Sequence, residues 1–227
     1  MEDIMLFWGL AILGIIIVLW AQVNINSNYK KYKQVKVKTG LSGQEVARRI
    51  LDANGLQNVH IVETQGELTD HYDPKRKVVR LSHTIFHEDT ISSVGVAAHE
   101  CGHAIQDKEG YTFMRVRSAL VPFVNLVSYL GYFGLLVSFV GGLTGYLKLS
   151  ILVLLVTVLF QLVTLPVEFD ASKRAKEQLV QLGLIDSDEH DQVSKVLSAA
   201  AMTYVAGLIS NLLQILRLVI LLNGRDD

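Results

Sequence analysis

Leu149 to Val167 reads LSILVLLVTVLFQLVTLPV, carries no charged residue, and is enclosed by Lys148 on one side and Glu168 on the other. A helix needs about 20 apolar residues to cross the hydrocarbon core of a bilayer, and this run has that length. Three more runs resemble it. Ile4 to Val23 is free of charge, Ser118 to about Leu143 lies in a stretch with no charge between Arg117 and Lys148, and a run from near Ala200 to near Leu222 carries only Arg217. Half of the 227 residues are hydrophobic and the mean hydropathy is +0.34, which excludes an ordinary soluble domain. The expected fold is therefore mainly α, a four-span helical membrane protein. Two polar segments, about 24–117 and 168–199, lie between spans.

The charges assign a side to those segments. Lys30, Lys31, Lys33, Lys36, Lys38, Lys108, Arg115 and Arg117 fall between the first and second runs, and Lys173, Arg174, Lys176 and Lys195 follow the third. Basic residues near span ends mark the cytoplasmic side. The expectation is a multi-pass protein of the cell membrane, with both termini outward and both polar segments in the cytoplasm. The first run reads as a retained anchor, because Met1-Glu2-Asp3 is acidic where a signal peptide is basic and no small-x-small cleavage site follows. Membrane flanks account for the basic cluster after it, so the expected partner is the lipid bilayer and not nucleic acid. Cys101 is the single cysteine, which excludes an intramolecular disulfide framework.

The first polar segment reads as a small α+β unit. Ser42-Gly43-Gln44-Glu45 is a capping-box pattern, and Val46, Ile50 and Leu51 continue at helical spacing toward Gly55. Val59 to Thr64 reads as a strand. Leu68 to Tyr72 and Lys77 to Ser82 read as a hairpin across Asp73-Pro74-Lys75-Arg76. A helix is expected from about Asp89 to Gln106, another from Glu168 to Leu182 stopped at Gly183, and a third from near Asp188 into the last span.

Residues 99–103 read His-Glu-Cys-Gly-His. On a helix, His99 and His103 lie four residues apart on one face and can bind a single metal ion, while Glu100 is placed to act on a metal-activated water. In this HExxH arrangement zinc acidifies the water and the glutamate takes its proton. Cys101 is turned about 200° from that face. Gly102 costs about 1 kcal/mol inside a helix, which points to a close approach by another backbone. The bland alternative is two histidines with no metal. His83 and His87 are also four apart but lack the adjacent glutamate, and read as loop or surface residues. A catalytic zinc has three protein ligands, so one more must come from elsewhere on the same membrane side. Two spans separate the motif from the segment starting at Glu168, which returns the chain to that side.

His99-Glu100-Cys101-Gly102-His103-Ala104-Ile105-Gln106, with Leu165-Pro166-Val167-Glu168-Phe169-Asp170-Ala171-Ser172, resembles the YugP-type neutral zinc metallopeptidases over most of the chain. More distantly it is similar to the HtpX heat-shock proteases and the CAAX prenyl endopeptidases. The resemblance implies Zn2+ as cofactor, metal ligands His99, His103 and Glu168, and Glu100 as the catalytic base. In the distant relatives the third ligand stands in Glu-aromatic-x-Ala-Asp; Ser172 departs from that pattern, and Asp170 is the candidate to steer a ligating histidine in its place. The bland reading of Glu168 is a solvated carboxylate at a membrane exit. The expected organisation is an anchor at 1–23, a cytoplasmic α+β unit with the HExxH helix at 24–117, and a transmembrane hairpin at 118–167. A cytoplasmic helical segment with the third ligand follows at 168–199, then the fourth span and a short tail at 200–227.

The implied activity is that of a zinc metalloendopeptidase acting on membrane-associated or cytoplasmic polypeptides. Strand Lys77 to Ser82 is the candidate edge for an extended peptide, and Tyr204 and Arg217 are candidate stabilisers outside the main site. An intramembrane protease of the site-2 class is disfavoured by Glu88 and Asp89 before the motif helix and Asp107, Lys108 and Glu109 after it. A zinc-binding scaffold or metal-handling protein is the alternative of another class; it would have no use for Glu100.

Overall fold

The computed structural model describes residues 2–140 and 146–223. The elements in order are α1 (Glu2–Tyr32), α2 (Gly43–Ala53), β1 (His60–Thr64), β2 (His71–Asp73), β3 (Val78–Ser82), α3 (His83–His87), α4 (Ile91–Glu109), α5 (Thr112–Val140), α6 (Tyr146–Gln181) and α7 (Ser187–Asn223). Among the described residues three helices are long and apolar enough to cross a membrane: Met5–Tyr32, Leu147–Gln181 and Ser187–Leu222. Only 11%, 17% and 11% of their most apolar windows is buried by the protein itself, so these helices present apolar surface that water would not tolerate and lipid would. The expected second span is helical within α5 as far as Val140, and its last residues lie outside the described ones.

The chain divides into two compact units. The first comprises Met1–Gln22, Arg115–Leu165 and Thr203–Asp227. Small residues let its helices approach closely, as between helices in lipid. A Cβ on Gly14 would stand 3.3 Å from Ser210 Oγ, and one on Gly131 would stand 2.3 Å from Val153 Cγ2. Asn211 donates to Gln161 Oε1 at 3.0 Å, and the Arg217 guanidinium lies 4.2 Å from the centre of the Phe7 ring.

The second unit, Val23–Met114 with Pro166–Met202, holds the sheet and the motif helix. The expected capping box is present: the Ser42 hydroxyl accepts from Glu45 N while Glu45 reaches back to Ser42 N, starting α2. Val46, Ala47, Ile50 and Leu51 then form one fully buried face, which shares a core with Val94, Ala97, Ala98 and Cys101 of α4. Gly43 is required at the start of α2, since a Cβ there would stand 2.1 Å from the Ile85 carbonyl oxygen. The Thr90 hydroxyl caps α4 by accepting from Ser93 N, and Gly110 ends it with φ of 67°, the left-handed region that glycine enters at least cost.

Two expectations need correction. The sheet order is β1-β3-β2, with β1 parallel and β2 antiparallel to β3. Strand 78–82 is therefore central, paired along its whole length by β1 and over residues 78–80 by β2, and is not the edge strand expected for a peptide. Residues 168–181 are helical as expected, but the helix does not begin at Glu168. They continue α6 from its apolar part, the helix running through Pro166 without a break. The expected stop is where it should be: Gly183 has φ of 61°, and Leu184 N donates to Leu179 O at 2.9 Å.

Candidate metal centre

His99 and His103 project from α4 on one face, with ring centroids 4.7 Å apart. Glu168 comes from α6. Its Oε2 lies 3.3 Å from His99 Nε2 and 3.8 Å from His103 Nε2, and one donor atom from each of the three residues falls within 4.8 Å of the others. Donors bound about 2.0–2.1 Å from a tetrahedral zinc stand about 3.4 Å apart, so this spacing suits a single ion. Glu100 is outside that group. It is 7% exposed; within the group His103 is 8% and Glu168 4% exposed, while the His99 side chain is 16% exposed, so the donors are largely removed from water.

Gly102 explains how α6 comes so near. A Cβ at this position would stand 2.5 Å from the Ala171 carbonyl oxygen, so the missing side chain is the space that α6 occupies. Val167, Ala171 and Ala175 form the fully buried face of α6. Glu168 lies one turn before Ala171 and Ser172 one turn after Glu168, which puts both opposite the α4 histidines. Cys101 faces the other way, as its rotation about the helix predicts. It is fully buried, with Sγ 3.6 Å from the Ala47 carbonyl, and burial, with the Glu100 charge adding to it, pushes its thiol pKa up.

The second nitrogen of each imidazole is held. Gln106 is fully buried, and its Nε2 donates to the Val167 carbonyl and to Asp170 Oδ2, both at 2.8 Å. Both partners are pure acceptors, so the amide orientation is determined and Oε1 must face His103 Nδ1, 3.0 Å away. Nδ1–H then donates, and the Nε2 lone pair is left for the metal side. His99 Nδ1 lies 3.1 Å from Ser172 Oγ, which can accept in the same way. Asp170, a candidate to steer a histidine although helical geometry already turned it elsewhere, contacts Gln106 and Arg174 instead. It braces Gln106 and in turn accepts from Arg174 Nε at 2.6 Å, while Arg174 Nη1 donates to Glu109. The residue that departs from the distant pattern, Ser172, is itself the one at His99.

The electrostatics favour a cation. Burial alone would lower the His103 pKa, but the Glu168 hydrogen bond and the charges of Glu100 and Glu168 outweigh it and raise the pKa above its usual value. The site thus draws positive charge, supplied by a proton or by a metal ion. Sequence reasoning missed the roles of Gln106 and Ser172. The available signal was the one-turn spacing of Gln106 from His103. Other acids near Glu168 in sequence are engaged elsewhere: Asp186 and Asp188 pair with Lys38, and Glu177 with Lys173. Arg217 belongs to the first unit and donates to Gln214; Tyr204, also in that unit, is exposed.

Residues 7–223 match the family described as "Putative neutral zinc metallopeptidase". The chain is 46% identical over 224 residues to the "Putative membrane protease YugP" of Bacillus subtilis (strain 168), covering 98% of this chain and all of that protein. No solved structure matches. The three converging donors fit the Zn2+ that such a family implies, and the apolar helices fit a membrane protein. With nearly its whole length matched, the chain belongs to the neutral zinc metallopeptidase family.

Proposed function

We propose that this chain is a multi-pass membrane metalloendopeptidase in which His99, His103 and Glu168 hold Zn2+ and Glu100 is the general base. The observation that carries the reading is the convergence of both Nε2 atoms on Glu168 Oε2, with each Nδ1 tied to a partner of its own. Zinc, when bound, supplies Lewis acidity that acidifies a water and polarises a carbonyl. The protein residues do the rest. Gln106 and Ser172 hold the imidazoles as neutral donors. The Glu100 carboxylate takes a proton from the attacking water and passes it to the departing amine nitrogen, so that it is regenerated at the end of each cycle. Low exposure keeps bulk water from competing for that proton.

The substrates are peptide bonds of membrane-associated or cytoplasmic polypeptides. The basic residues flanking the apolar runs support four spans, with both termini outward and residues 24–117 and 168–199 in the cytoplasm. A scaffold role is the weaker reading, because it leaves a buried carboxylate at position 100 without a purpose. The test is zinc content and cleavage of an unfolded polypeptide by native protein, Glu100→Gln and Glu168→Ala in detergent. Glu168→Ala should hold about one zinc fewer per chain than native. Glu100→Gln should keep its zinc and cleave about 100- to 10,000-fold more slowly. Equal zinc in all three proteins, or undiminished cleavage by Glu100→Gln, would sink the assignment.

A further inference from the structure

The histidine pair that lacks the glutamate signature has acquired a glutamate from another element. His83 Nδ1 lies 2.7 Å from Glu63 Oε1, and His87 Nε2 lies 3.0 Å from Glu63 Oε2. Each carboxylate oxygen faces one imidazole, the two rings have centroids 4.7 Å apart, and one donor atom from each residue falls within 4.8 Å of the others. Two imidazoles and one carboxylate form a donor set suited to a borderline divalent cation. We propose that Glu63, His83 and His87 form a second, surface metal site for Zn2+ or a similar divalent ion, distinct from the group around His99.

The frame that carries these donors is fixed. Glu63 is paired with Leu81 in the parallel β1–β3 register, so it stands beside the point where β3 passes into α3. The i, i+4 spacing puts both histidines on one side of the single turn of α3. That turn is anchored by fully buried Ile85, by Ser93 Oγ donating to the Thr84 carbonyl, and by the contact of the Ile85 carbonyl with Gly43. Donors on such elements are held in place before any ion arrives, which lowers the ordering cost of binding. Unlike the internal group, this one is open: the His83, His87 and Glu63 side chains are 77%, 51% and 43% exposed. Water completes the coordination and the ion exchanges freely. Its effect is mechanical, tying β1 to α3 and so to the start of α4 at Ile91, four residues beyond His87.

The test uses the full chain in detergent with Zn2+ as the only added ligand. Native protein dialysed against zinc should retain about two ions per chain, and Glu63→Gln about one. In a His99→Ala/His103→Ala background, zinc titrated against a chromophoric chelator should still bind once. Glu63→Gln or His87→Asn should weaken that binding at least about tenfold. Unchanged affinity on Glu63→Gln would reduce the site to a surface histidine pair and overturn the proposal. One ion per chain in both native protein and Glu63→Gln would also overturn it. If native protein holds one ion that Glu63→Gln removes and Glu168→Ala does not, the surface site stands and the internal ligand assignment fails.

Discussion

Replacing Gly102 by alanine adds one methyl group at the closest contact between α4 and α6. Its Cβ would stand 2.5 Å from the Ala171 carbonyl oxygen and 3.1 Å from the Ala171 carbonyl carbon and Cα. An ordinary contact is about 3.4 Å, so the two backbones must part by about 0.9 Å locally. These are backbone atoms and no side-chain rotation relieves them. Alanine would recover about 1 kcal/mol of helix propensity, but overpacking costs about 1–3 kcal/mol, so the net effect is neutral to destabilising. The larger consequence falls on Glu168, one turn from Ala171. Metal–ligand distances tolerate only about 0.2 Å, and a shift of several times that displaces the carboxylate from His99 and His103. The expected result is a loss of zinc affinity at the internal site of at least about tenfold, with helix content retained. Chelator competition on the Glu63→Gln background isolates that site, and circular dichroism checks the fold. Native-like zinc affinity together with a raised unfolding temperature would refute the close-approach argument.

Gln106→Leu removes the acceptor of His103 Nδ1 and leaves half-buried Asp170 without one of its donors; zinc affinity should fall about 10- to 100-fold by the same competition assay. Gly43→Ala would place a Cβ 2.1 Å from the Ile85 carbonyl oxygen, and should lower stability by about 1–3 kcal/mol in denaturant unfolding without altering which residues bind metal. Metal-free protein should become less stable as pH rises above about 6.5. The His103 pKa is raised in the folded state, so its contribution is complete below the unfolded value and is lost as pH rises through the folded one. Zinc affinity should change in the opposite sense and increase with pH, because the ligands bind deprotonated. Thermal unfolding and chelator competition across pH 5.5 to 8.5 (about three units spanning the histidine range) check both signs.

Local spacing and composition were sufficient for the elements that depend on neighbours in sequence. The four-position spacing of His99 and His103 puts them on one helical face wherever that helix packs. The capping box at Ser42, the stop at Gly183 and the rotation of Cys101 away from the histidine face follow from local spacing alone, and so does the apolar length of the long helices. Even the need for a close approach was legible in Gly102, since a glycine inside a helix is costly without one. The approaching chain was not legible. That Ala171 fills the gap, that Ser172 meets His99, and that Gln106 is oriented by Val167 and Asp170 depend on contacts across more than 60 residues of chain. The same holds for β3, whose central place arises from a parallel pairing with β1 that no turn signal encodes, and for Glu63, which that register carries to His83 and His87. Helical periodicity is written into every few residues, whereas the meeting of distant segments is decided by which buried surfaces fit.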